Sequence, residues 1–163
     1  MRRRLLWLFA VCVFLLSTSQ VGRAQDVLAE QQILGLRGLS AVYLVFSVSD
    51  KSKEQIFRQQ DVANFITVAL ARDVRKLKVT GDPKTADWLE VAVVLRDSAA
   101  FVDLRVHRWV TLTGTWTDFF ATAWANSTLV SGGTLSMSKL KEAVQTLLTS
   151  FAADYIRANN QAM

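Results

Sequence analysis

The chain of 163 residues holds one cysteine, one proline and one histidine. Each scarcity removes chemistry. Cys12 sits inside an amino-terminal apolar run, preceded by Phe9, Ala10 and Val11 and followed by four more apolar residues. A lipoprotein-type signal carries its cysteine at the end of such a run, after small residues, so lipidation is not expected. Loss of residues 1–24 would leave no cysteine, and with it no disulfide, thiol nucleophile or thiolate metal site. A single histidine, His107, obliges any zinc site to be completed by carboxylates, and no metal-ligand spacing appears. There is no Gly-x-Ser-x-Gly motif and no phosphate-cradling glycine loop; Ser131-Gly132-Gly133 reads as a joint. No cofactor and no metal are expected, and the chain reads as a non-enzyme.

Long apolar runs are also missing. Leu5–Leu16 spans 12 residues, against roughly 20 for a membrane-crossing helix. With Arg2, Arg3 and Arg4 before it and Gly22-Arg23-Ala24 after it, the run has the order of a secretory signal peptide, cut after Ala24. A retained anchor is the alternative, and the run is short for one. Cleavage takes four of the 19 basic residues and none of the 14 acidic ones, so the net charge falls from +5 to +1. No polybasic patch remains that would suggest nucleic acid or an anionic membrane as a partner. The expected division is a signal peptide over 1–24 and a single domain over 25–163, bacterial and periplasmic or otherwise secreted.

What is present is strong patterning. Residues 26–36 fit one helical turn, two, or an irregular lead-in. Ala41–Val48 is apolar on both faces and predicts a central strand covered on both sides. From near Gln55 to Leu77, Val62, Phe65, Ile66, Ala69, Leu70, Val74 and Leu77 recur at helical spacing. Lys78–Thr80 fits a short strand before the break Gly81-Asp82-Pro83, and a parallel strand–helix–strand unit implies a right-handed crossover.

Trp88–Leu112 then reads as two strands paired across Asp97-Ser98-Ala99-Ala100. Leu89, Val91, Val93, Leu95, Val102, Leu104, Val106, Val110 and Leu112 share one face. Trp88, Glu90, Arg96, Asp103, Arg105, His107 and Trp109 share the other. A tip at Ser98-Ala99 would set Leu95 beside Val102, Glu90 beside His107 and Trp88 beside Trp109. Phe119–Asn126 predicts another strand, with Phe120, Thr122 and Trp124 on one side. Met137–Ala158 predicts a second long helix through Leu140, Val144, Leu147, Leu148, Phe151, Tyr155 and Ile156. The expected fold is α+β: a two-layer sandwich of a mostly antiparallel sheet of about four to five strands and two long amphipathic helices.

The candidate contact face is Trp88, Glu90, Arg105, His107 and Trp109. Glu90 and His107 could form an acid/base pair, though the commoner case is a cross-strand polar pair on a partly exposed sheet face. Trp88, Trp109, Trp116 and Trp124 could form an aromatic platform or pack inside.

The segments LRGLSAVYLVFSV, DPKTADWLEVAVVL and FAADYIRAN resemble small exported bacterial envelope proteins, with an A-D-x-L-x-V entry into a strand similar to α+β domains of the TolB amino-terminal and CsgG-like type. The resemblance implies a non-enzymatic envelope component and supplies no functional residues. The resulting expectation is a periplasmic protein-interaction or envelope-assembly module whose partner is another envelope protein. The alternative is a small-ligand or glycan carrier using an aromatic sheet face. A hydrolase using Glu90 and His107 ranks third.

Overall fold

The computed structural model describes residues 27–49, 59–96, 99–112, 114–132 and 134–160. The expected signal segment, the start of the first long helix and the hairpin tip at 97–98 lie outside the described residues. The element order is α1 (27–35), β1 (Ala41–Val48), α2 (Gln59–Asp73), β2 (Lys78–Thr80), β3 (Asp87–Arg96), β4 (Ala99–Leu112), β5 (Thr117–Val130) and α3 (Met137–Asn160). The sheet runs β2-β1-β3-β4-β5. β1 pairs in parallel with β2 and β3, while the longer β3–β4 and β4–β5 ladders are antiparallel. The fold is therefore α+β with a mostly antiparallel mixed sheet.

One side of the sheet carries the core. Leu89, Val91, Val93 and Leu95 of β3 and Ala100, Val102, Leu104 and Val106 of β4 are buried in one cluster with the apolar stripes of α2 and α3. Ser136 caps α3, its Oγ accepting from Lys139 N at 3.4 Å. Phe151 lies at the centre of the α3 stripe, fully buried, with its ring 5.4 Å from that of Trp124. The Trp124 indole N–H donates to Asp154 of α3 at 2.9 Å. Tyr155 donates its hydroxyl to Leu39 O at 2.9 Å, and burial raises its phenol above the ordinary value.

α1 is the element whose conformation the sequence leaves open. Its last turn unwinds through three-residue turns, Leu36 N to Ile33 O, Arg37 N to Leu34 O and Leu39 N to Leu36 O. Two distant side chains hold that end. Arg108 donates to Gly35 O and Arg37 O, both at 2.9 Å, and pairs with Asp87 at 3.0 Å. Asn159 donates to Leu36 O and accepts from Gly38 N. The orphan carbonyls of α1 are thus satisfied by the sheet and by α3.

Five expectations need correction. The β3–β4 register differs by two residues: Arg96 pairs with Ala99, Glu90 with Arg105 and Trp88 with His107. A shift of two keeps every side chain on its expected face, and the shorter connection gains the Ala99 and Ala100 rungs. α2 ends at Asp73 rather than Leu77, because the chain must turn to bring Lys78 beside Ala41. Val74 and Leu77 keep the helical spacing because the turn buries them too. β1 joins the core on one side only: Val42 is buried and Leu44, Phe46 and Val48 pack against the core cluster, whereas half-buried Tyr43 and Val45 lie on the other face beside Trp88 and Glu90.

Trp124 parts from Phe120 and Thr122. β5 pairs Trp124 with Val106 but Thr122 with His107, a bulge that leaves Ala123 as the extra residue. The bulge reverses the parity of the strand, turning Trp124 into the core and leaving Phe120 and Thr122 on the opposite face. Val110 is 39% exposed rather than core, since it lies past the last β3–β4 pair at Trp88–His107.

Candidate functional site

The apolar stripes of α2 and α3 pack on the core face of the sheet, and the opposite face, which among the described residues carries no such cluster, collects the five expected contact residues. In-register pairing sets them in cross-strand rows. Tyr43, Trp88, His107 and Thr122 form one row, and Val45, Glu90, Arg105 and Ala125 the next. Trp109 pairs with Phe120 just beyond.

The aromatic end is mutually packed. Phe120 lies 4.8 Å from Trp88 edge-on, 5.2 Å from Trp109 and 5.5 Å from the His107 ring, with which it stacks. Trp88 is half-buried and donates its indole N–H to Pro83 O at 3.2 Å. Trp109 stays 63% exposed. Aromatic pairs of this kind contribute beyond their buried area.

The polar centre is a chain of contacts across three strands. Glu90 Oε2 lies 2.9 Å from His107 Nε2, and His107 Nδ1 lies 3.2 Å from Thr122 Oγ1. The pair meets diagonally, since Trp88 and not Glu90 is directly opposite His107. Arg105 approaches Glu90 at 3.9 Å and binds Asp103 through both Nε and Nη2. Asp103 is the one buried charged residue among the described residues, and Arg105 neutralises it.

A carboxylate, an imidazole and a hydroxyl in sequence have the order of an acyl-transfer triad. The surroundings suit a structural role better. Backbone N–H groups of a strand lie in the plane of the ladder, so this flat face aims none of them at an oxyanion above Thr122. Among the described residues no group of three or more His, Cys, Asp or Glu is placed to hold a metal.

The other end of the face is apolar and open. Val94, Phe101 and Leu129 pair directly across β3, β4 and β5, and are 39%, 41% and 64% exposed. Sequence reading missed this row because Val94 and Phe101 adjoin core residues on their own strands, Val93 and Leu95 beside one and Ala100 and Val102 beside the other, and Leu129 lies beyond the strand expected over 119–126. It also missed Phe120 and Thr122 as partners of His107, since the Ala123 bulge carries no local signal. Three surface clefts are bordered by Ile33 and Arg157, by Val130 and Glu142, and by Arg72 and Tyr155. None of these is lined by the aromatic residues of the open face.

The sequence matches no family model and no curated protein. A solved structure described as an uncharacterized protein is similar at 12% identity, covering 75% of this chain and 94% of its own, with a TM-score of 0.35. That likeness carries no functional argument.

Proposed function

We propose that the chain is an exported, non-enzymatic interaction module of the bacterial cell envelope, which receives an extended segment of another envelope protein along β5. The observation that carries this reading is the Val94–Phe101–Leu129 row, exposed and running to the sheet edge. β5 itself is an edge strand of 14 residues whose only charge is Asp118. The opposite edge, β2, has three residues and carries Lys78. Sheet proteins guard long edges with charge, proline or bulges. Here the Ala123 bulge and the end of α1 guard the middle of β5, and among the described residues no strand pairs with the outer edge of Ala125–Val130. An added strand would gain ladder hydrogen bonds there and rest its side chains on Phe101 and Leu129. The signal-like residues 1–24 and the envelope-protein resemblance support the compartment.

Edge charges test the reading. Ser127→Lys and Leu129→Lys change exposed positions, so stability should stay within about 0.5 kcal/mol. Binding of the partner strand should fall at least about ten-fold, as a like-for-like change at exposed Val68 on α2 should not. Equal binding by all three variants would remove β5 as the receiving edge.

A further inference from the structure

The β4–β5 ribbon runs past its neighbour. The last β3–β4 pair is Trp88–His107, so residues 109–120 have no β3 strand beside them. Four rungs at about 3.3 Å each make a projection of roughly 13 Å before the turn. Its apolar groups point to both sides. Trp109 is 63% exposed on one face, while Val110 and Phe119, paired with each other on the opposite face, are 39% and 40% exposed. Trp116 closes the turn at 80% exposure.

The backbone adds a second, independent observation. Trp116 has φ 52°, a left-handed conformation that turns normally give to glycine or asparagine. A bulky residue there is strained. The ring returns nothing to the fold, since it is the most exposed large apolar side chain among the described residues. Residues 113–117 carry no charge, and Asp118 is engaged by the Thr111 hydroxyl at 2.5 Å.

We infer that this hairpin end inserts into the interfacial region of a lipid bilayer. A partner protein covers one side of a ribbon; a bilayer surrounds it, which suits apolar groups on both faces. Tryptophan favours the headgroup level, where its ring is apolar and its N–H stays wet. Interfacial elements sink about 5–10 Å, within the reach of the ribbon. None of the described helices is long and apolar enough to cross a membrane, and the inferred contact is that of the hairpin end alone. With no basic residue in the tip, it depends on apolar contact rather than on anionic lipid. Its strength belongs with that of a single acyl chain, on the order of 10⁴ M⁻¹. The insertion is independent of strand addition at the far end of β5.

Flotation of the full chain with pure phosphatidylcholine vesicles tests this, with vesicles containing phosphatidylglycerol and a high-salt wash as further arms. All variants share residues 1–24, so any contribution of that segment cancels. The wild type should float with phosphatidylcholine and resist salt. Trp116→Gly relieves the strained turn, so it should fold at least as stably and yet lose about ten-fold or more in vesicle binding; Trp109→Ser should do the same. Leu129→Ser, at the other end, should float like wild type. Unchanged flotation of Trp116→Gly and Trp109→Ser would overturn the inference. Binding only to anionic vesicles that salt abolishes would also overturn it. So would loss of a protein partner, rather than of vesicles, in the tip variants.

Discussion

Phe151→Ala is expected to cost the fold about 3–5 kcal/mol, a large part of the 5–15 kcal/mol typical of a domain. Phe151 is fully buried at the middle of α3. Its ring meets Trp124 edge-on at 5.4 Å and Tyr155 at 6.1 Å. Both neighbours are pinned by hydrogen bonds of their own, Trp124 to Asp154 and Tyr155 to Leu39 O. They cannot collapse into the space without breaking them, so the cavity stays open and the loss sits at the high end. Urea denaturation should show a lower midpoint with little change in slope. Ile156, expected in the same stripe, is instead 44% exposed, because Tyr155 takes the buried position beside it; Ile156→Ala should cost under about 1 kcal/mol. Equal costs for the two would contradict the placement of the α3 stripe.

Gly35→Ala is the second large effect, and its sign opposes local propensity. Within a helix, alanine in place of glycine stabilises by about 1 kcal/mol. At Gly35 a Cβ would collide with the Ala123 carbonyl oxygen and sit 3.1 Å from its carbon and 3.2 Å from the Ala123 Cβ. These are backbone atoms and a methyl at its root, so nothing can rotate aside. Either the bulge must shift or the end of α1 must lift from the sheet. Lifting breaks the bonds that Arg108 donates to Gly35 O and Arg37 O, the one that Asn159 donates to Leu36 O, and the one that Gly38 N donates to Asn159 Oδ1. A net loss of about 1–3 kcal/mol follows, with amide exchange accelerated first in α1. Gly81→Ala, where an added Cβ meets nothing within 4 Å, is the control and should be close to neutral. A stabilised Gly35→Ala protein would mean that α1 does not dock on the bulge.

These two sites mark where sequence reading succeeds and where it stops. The Phe151 stripe was legible because helical burial repeats every three or four residues over 24 residues of α3. The faces of β3 and β4 were legible for the same kind of reason, with a period of two that a register shift of two leaves intact. The register was not, since Asp97-Ser98 has none of the Asn-Gly chemistry that fixes a tight turn. The contact between Gly35 and Ala123 joins residues 88 positions apart and depends on a bulge that one extra small residue creates. That bulge also decides which side Trp124 and Phe120 take, so a single alternation through 119–126 grouped the two on one side. The parallel pairing of β1 with β3 and the one-sided core packing of β1 likewise depend on strand order, on which an apolar octapeptide is silent.

The candidate face fared differently from its members. Trp88, Glu90, Arg105, His107 and Trp109 were gathered by strand parity alone, and they do lie together. Their surroundings change the emphasis. Glu90 and His107 satisfy each other and Thr122, and Trp88 is half-buried against Phe120. The exposed apolar surface lies at the two ends, in the Val94–Phe101–Leu129 row and in the tip around Trp116.

Position-resolved photocrosslinking in the envelope tests the proposed interaction most directly. A photoreactive residue at Ser127 or Leu129 should give a discrete adduct with one protein, and the Leu129 adduct should vanish when Ser127→Lys is added. The same probe at Val68, exposed on the helical layer, should give none. Adducts from Val68 equal to those from Leu129, or a Leu129 adduct indifferent to Ser127→Lys, would contradict a partner strand on β5.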